Sequence, residues 1–233
     1  MLPYEAPGER ARVKAQLEVL LGPDNIDAPR EAVRIGYELV LKCTENDVAA
    51  MSGFLAWGLP LRQLRDALCP AGWQVDRTGN FETVRSPDGK VAITSARGDE
   101  KTGTEGMPST ATDKGPRTQK AVAVNRAQLA FDPAVIGAAS KVALLHKDLV
   151  TWFLLHHYDE AAQEIRLELA VPVEFVVTGT TNSGQDQRVV ATHFESRLPL
   201  ESILLETPEF DDDQEQGEAE EEINVPVSRR KTS

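Results

Sequence analysis

Cysteine is scarce in this chain. Cys43 and Cys69 are the only two in 233 residues. Both fall on predicted helices, and a disulfide scaffold needs more cysteines at closer spacing, so buried reduced thiols are expected. Long apolar runs are missing too. No stretch approaches the roughly 18 residues that a membrane-spanning helix needs, and the opening MLPYEAPGER lacks the apolar segment of a signal peptide. A cytoplasmic protein without a membrane partner is the expectation. Basic residues are outnumbered, 25 against 37 acids, for a net charge of −12. That balance argues against general affinity for DNA or membranes, whose phosphates need Lys and Arg. Catalytic and metal motifs are absent as well: no C-x-x-C pair, no H-E-x-x-H, no G-x-S-x-G, no dinucleotide glycine fingerprint and no EF-hand loop. No metal and no cofactor is expected.

What is present is a strong two-residue period. In EIRLELAVPVEFVV, Ile165, Leu167, Leu169, Val171, Val173 and Phe175 fall on one side. Glu164, Arg166, Glu168, Ala170, Pro172 and Glu174 fall on the other. Strand side chains point alternately to opposite faces, so this pattern predicts a long strand with one wet face in an antiparallel sheet. Neighbouring strands are expected over 149–158 and 188–197, joined to it by short polar connections.

The N-terminal half reads as helices. Val13, Leu17, Leu20 and Leu21 form one stripe, stopped by Gly22-Pro23. Asp27 caps a second helix carrying Ala32, Gly36, Leu39, Val40 and Cys43. Thr44 with Asp47 resembles a capping box for a third, which Gly58-Leu59-Pro60 should break. A fourth then starts at Pro60 and carries Leu61, Leu64 and Leu68. Two strands, Phe81–Arg85 and Lys90–Ser95, flank the turn Ser86-Pro87-Asp88-Gly89. From 97 to 117 there is no period, only Gly, Thr, Pro and charge, which predicts an exposed loop or linker. Two further helices are expected at Thr118–Ala130 and Pro133–Lys147. From Glu206 to Glu222 the chain is mostly acid with little apolar surface to bury, which predicts disorder. The last 28 residues hold ten acids and three bases, so the other 205 carry a net charge of only −5.

The fold expectation is α+β: a helical N-terminal half with a β-hairpin (1–96), an irregular loop or linker (97–117), helices covering a C-terminal antiparallel β-meander (118–205), and a disordered acidic tail (206–233). The element order across Asp47–Ser95 resembles a winged helix-turn-helix, which implies nucleic-acid contacts through Arg62, Arg65, Arg85 and Lys90. The overlapping stretch LRQLRDALCPAGWQVDRTGNFETVRSPDGKVAI resembles the HicA-type toxins, whose Gly-His pair implies a ribonuclease histidine. Here Asn80 follows Gly79, and Asn cannot act as a general base near neutral pH, so the activity does not carry over.

A second polar group lies on the wet face of the meander. With ordinary pairing, His193 and Glu195 should approach Arg166 and Glu168, giving one titratable His among carboxylates as in a hydrolase or nuclease. Exposed antiparallel faces commonly carry such cross-strand pairs without chemistry. His156 and His157 are sequential in a strand, so they point to opposite faces and cannot share a metal. The Gly- and Lys-containing segments Gly98–Gly103 and Lys114–Thr118 have the composition of a phosphate cradle without the Walker spacing. Taken together, the sequence favours a non-enzymatic bacterial accessory protein acting through protein–protein contacts. The alternatives are nucleic-acid binding through 47–95, or hydrolysis around His193. The abundance of Ala, and of Arg over Lys, fits a GC-rich bacterial gene.

Truncation after Leu205 is expected to leave the melting temperature nearly unchanged, because the tail has too few apolar side chains to dock. A large fall in a thermal melt would instead identify Phe210 and Ile223 as docking anchors.

Overall fold

The computed structural model describes residues 8–129, 149–178 and 188–205. The expected helix at Pro133–Lys147 with His146, the connection 179–187 and the acidic tail lie outside the described residues. Three helices precede the sheet. α1 (Glu9–Leu21) buries Val13, Leu17 and Leu21 at four-residue steps and ends at Gly22. α2 (Ala28–Val40) buries Ala32, Val33, Gly36 and Tyr37, with Pro29 tolerated in its first turn. α3 (Met51–Leu68) buries Ala56, Pro60, Leu61, Leu64 and Leu68.

The expected break at Gly58-Leu59-Pro60 does not occur, because α3 runs straight through Pro60. Proline removes one backbone hydrogen bond and normally kinks a helix. Here its ring is received by α2. A Cβ added at Gly36 would lie 2.8 Å from Pro60 Cγ and Cδ, so only glycine lets the two helices meet at that point. The Thr44–Asp47 pair also has a different role. Asp47 accepts the Thr44 amide at 2.8 Å inside the connection, and the helix starts later, at Met51.

The strands are β1 (Gln74–Asp76), β2 (Thr83–Arg85), β3 (Val91–Arg97), β4 (Val150–Asp159), β5 (Glu164–Thr178), β6 (Arg188–Pro199) and β7 (Ile203–Leu204). They form one mixed sheet in the order β1-β2-β3-β4-β5-β6, and β7 pairs with the start of β5. The fold is α+β. All neighbours are antiparallel except β3 and β4, which run parallel from Val91 opposite Val150 to Arg97 opposite His156. A parallel pair requires a crossover connection, and α4 (Pro116–Leu129) lies within it. Strands of both halves therefore share one sheet, and 97–117 does not separate two independent units.

The sheet is covered on both faces. Leu154, Ile165, Leu167, Leu169 and Leu198 pack with α1, α2 and α3, while Phe153, Leu155, Ala170, Ala191 and Phe194 pack with Val122 of α4. The wet face predicted for β5 is thus closed over Glu168 and Ala170, both 0% exposed. The simple alternation also ends part-way along the strand. Register shifts between Val171 and Phe175 move Phe175 to the Ala170 side, as bulges do. Asn125 of α4 fastens this irregular stretch. Its Nδ2 donates to the Thr151 carbonyl at 2.8 Å and to the Pro172 carbonyl at 3.0 Å, and its Oδ1 accepts the Thr151 amide at 2.8 Å.

The segment expected to be exposed and mobile is bound along the sheet. Arg197 of β6 holds Glu168 with two hydrogen bonds, Nε to Oε2 at 2.7 Å and Nη2 to Oε1 at 3.0 Å. The same guanidinium donates to the carbonyls of Gly106 at 2.8 Å and Thr104 at 3.0 Å. The Gly103 amide donates to Glu168 Oε1 at 3.3 Å. Gly98 bridges Thr110, the Thr110 amide donates to the Ala191 carbonyl at 3.0 Å, and Thr102 and Thr110 are buried. Burial pushes the Glu168 carboxyl above its ordinary range, against the opposing pull of Arg197 and the Gly103 amide.

Removing one partner of such a buried pair costs about 3–5 kcal/mol, because the other charge stays behind unpaired. Arg197→Ala should therefore lower chemical stability by that order and speed amide exchange across 102–110. An apolar pair, Glu168→Leu with Arg197→Met, should recover much of the stability but not the slow exchange. Unchanged exchange at 102–110 in Arg197→Ala would show that the loop is held by other contacts.

Candidate functional site

Exposed apolar surface is concentrated in one stretch of chain, 39–57. It spans the last turn of α2, the connection, and the first two turns of α3. Leu39, Leu41 and Val48 are exposed there, together with Phe54 at 63% and Trp57 at 41%. Residues three apart on a helix are surface neighbours, so the exposed Phe54 and Trp57 stand next to each other on the open side of α3. Two acids, Glu45 and Asp47, and one base, Lys42, interrupt the stretch.

Trp57 also belongs to the wall of a cavity of about 310 Å³ between α3, the edge of β3 and the segment before α4. Thr94, Ser95 and Ala96 all line it. Successive strand residues face opposite ways, so the cavity meets the edge of β3 rather than one of its faces. β2 pairs with β3 only at Ile93 and Ala92, which leaves this edge without a strand neighbour. Phe81 and Phe153 add apolar wall, and Lys114 adds a cation. Lys114 donates to Thr112 Oγ1 at 2.9 Å. Burial of its ammonium lowers its pKa to about 8, with Asp113 acting in the opposite direction.

A buried chain of hydrogen bonds lies beneath this region. His156 is 0% exposed. Its Nδ1 is 3.0 Å from the Tyr37 hydroxyl and its Nε2 is 3.1 Å from Ser95 Oγ. Burial lowers the imidazole to about 3, helped by the positive fields of Arg97 and Lys114. Desolvation also pushes Tyr37 up to about 12. The ring is neutral, so one nitrogen donates and the other accepts, and a hydroxyl satisfies either role. A serine beside a histidine is the layout of a nucleophile and its base. A base at about 3 does not take a hydroxyl proton near neutral pH, and Ser95 is buried. The arrangement instead fastens α2, β3 and β4 to one another.

The residues singled out from sequence are distributed as follows. Arg62 is exposed and faces Asp66 at 3.6 Å. Arg65 is largely covered, donating to Glu82 Oε2 at 2.7 Å and to the Thr83 carbonyl at 2.9 Å. Arg85 donates to Asp76 Oδ2 at 2.7 Å. Lys90 is exposed at the β2–β3 turn. Two of the four cations are thus engaged in holding α3, β1 and β2 together, and the continuous α3 contains no helix-turn-helix. On the meander, His193 pairs opposite Glu174, whereas Glu168 pairs opposite Pro199. Arg166 bonds Asp159 at 3.1 Å, and His193 and Glu195 are exposed. The structure does not bring these four together. The β5–β6 register is the reason: with Glu168 opposite Pro199, His193 falls opposite Glu174, six residues further along β5. His156 and His157 do fall on opposite faces, the first toward Tyr37 and the second opposite Arg166.

Sequence reasoning missed Asn125 and Arg197, and left His156 without partners. The available signal was polarity at apolar positions. Asn125 stands three residues after Val122, on the buried side of α4, and His156 follows Leu154-Leu155. Buried polar groups are nearly always bonded, so each pointed to an internal partner. No protein-family model matches this chain, and no curated protein or solved structure matches it. No helix among the described residues is long and apolar enough to cross a membrane, and none of their His, Cys, Asp and Glu side chains form a group that could hold a metal ion.

The buried imidazole sets a pH dependence. Unfolded, a histidine protonates near 6.5, about its usual value. Folded, His156 resists protonation down to about 3. The unfolded chain therefore binds more protons between these values, and stability is complete above the window and falls as pH drops through it, by at most ~1.4 kcal/mol per pH unit. His156→Gln, which keeps a donor and an acceptor, should lower the melting temperature at pH 7 and flatten its decline between pH 6.5 and 4.5. An undiminished slope in the variant would assign the dependence to other groups.

Proposed function

We propose that the protein is a non-enzymatic bacterial binding or accessory protein that acts in the cytoplasm through protein–protein contacts, and that its contact surface is the 39–57 stretch with the adjoining cavity. The observation that carries this reading is the position of Trp57. It stands at once in the exposed apolar stretch beside Phe54 and in the wall of the 310 Å³ cavity. Interfaces draw most of their energy from a few aromatic or apolar anchors that fill pockets, ringed by polar residues that exclude water. This surface offers two aromatics, a pocket with phenylalanine walls and a polar rim. The rim is acidic on balance, with Glu45 and Asp47 against Lys42. The partner it fits is a protein segment that presents one apolar anchor side chain with basic residues beside it.

A photoreactive amino acid placed at Phe54 should cross-link a partner that the same label at the isolated, exposed Val19 does not reach. Once that partner is purified, Phe54→Ala with Trp57→Ala should weaken binding by about 30-fold or more, the scale of an interface hot spot. The melting temperature should barely change, since the side chains removed are exposed. Equal labelling from position 19, adducts only with a second copy of this chain, or unaltered affinity in the double variant would each overturn the assignment.

A further inference from the structure

We infer that a second cleft, between α4 and the strands β1 and β2, is a binding site for the phosphate group of a small phosphate monoester. The cleft has a volume of about 140 Å³, room for one phosphate and a few carbons rather than for a polymer. Three cations line it, Arg85, Arg117 and Lys120, against one carboxylate, Asp76. The net charge of its walls is therefore +2, on a chain whose total is −12. A phosphate monoester carries close to two negative charges above its second pKa of about 6. Phe81 and Val124 give the remaining wall an apolar character, which suits the organic part of an ester.

Two of the three cations are not consumed by internal pairing. Arg117 and Lys120 are exposed and make no ion pair among the described residues. They stand three residues apart on α4, and so on one side of the helix. Arg85 gives Nη2 to Asp76 at 2.7 Å, yet its Nε is buried with no hydrogen-bond partner. That nitrogen is closed to solvent and so to a ligand, and Arg85 adds its charge to the cleft wall rather than a free donor.

The backbone is shaped to seat Arg117. The turn Thr78–Asn80 places Gly79 at φ 66° and Asn80 at φ 59°, both left-handed. A Cβ at Gly79 would lie 2.5 Å from Arg117 Nε and 2.8 Å from its Cζ. The guanidinium thus lies across a spot that only a glycine leaves open. Thr78, whose amide is tied to Asp76 Oδ1 at 2.9 Å, keeps the turn against the cleft. Two consecutive left-handed residues, one of them not glycine, are a strained arrangement of the kind found at binding sites.

The test is calorimetric titration of the full chain with phenyl phosphate, and with inorganic phosphate, at pH 7.5 and pH 5. Both should bind at 7.5, phenyl phosphate more tightly, and both more weakly at pH 5, where the second proton is back on the ligand. Arg117→Gln and Lys120→Gln should each weaken binding about tenfold or more, the scale of a lost charge-assisted hydrogen bond. Gly79→Ala should do the same by displacing the Arg117 guanidinium without removing a charge. Melting curves of Arg117→Gln and Lys120→Gln should match wild type, which separates lost binding from lost folding. No heat with either phosphate at millimolar concentration, or equal affinity in Arg117→Gln, would overturn the site. So would much tighter binding of a short oligonucleotide with a steep salt dependence, which would place the phosphate in a nucleic-acid backbone.

Discussion

The pair Glu168–Arg197 is the constraint on which the second face of the sheet depends. A carboxylate at a fully buried strand position is tolerable only with a charged partner and complete hydrogen bonding. The bidentate guanidinium provides both. Its remaining donors reach outward to the carbonyls of Thr104 and Gly106. One ion pair thus fixes the β5–β6 register at its ordered end and turns an irregular, polar segment into a lid for the sheet. The bulges appear beyond this point. There Asn125 accepts the task of satisfying the carbonyl of Pro172 and the backbone of Thr151 from the side of α4.

Much of the architecture was legible from side-chain periodicity. The stripe of α1, the start of α2 and the positions of β3 to β6 follow from apolar spacing, because burial on one face is a local property of sequence. Three features were not legible. α3 crosses a proline because of Gly36, a residue on another helix that no local rule consults. The parallel pairing of β3 with β4 depends on contacts between distant parts of the chain, and periodicity carries no sign of strand direction. The wet face of β5 was read from Glu164, Arg166 and Glu168 as solvated. Charge marks a position as polar, and it does not say whether the partner is water or another residue such as Arg197.

The polar clusters divide by the same logic. Arg65 and Arg85 looked like candidates for external chemistry because arginine is common at nucleic-acid sites. In the fold, Arg65 and His156 are joints between elements, with their hydrogen bonds directed inward. Arg85 is divided between the two roles, with one nitrogen on Asp76 and its side chain in the wall of a cleft. What faces outward is different in kind. It is the two aromatics Phe54 and Trp57, which hydropathy alone assigns to a core stripe of α3. Their neighbours Leu61, Leu64 and Leu68 continue that stripe inward, while Phe54 and Trp57 stay exposed.

The parallel β3–β4 pairing also has a consequence for how the chain is made. Val91 and Val150 are partners across the ladder, separated by 59 positions. A ribosome adding about 5–20 residues per second needs roughly 3–12 s to supply that stretch. During that interval α1, α2, α3 and the hairpin have emerged, while the inner edge of β3 still lacks its neighbour. An unpaired strand edge with apolar residues such as Ile93 and Ala96 is a template for any other extended chain nearby. The nascent protein therefore passes through a period of exposure to its own siblings on the polysome. Slow translation of the crossover would lengthen that period, and a chaperone that shields strand edges would shorten its effect.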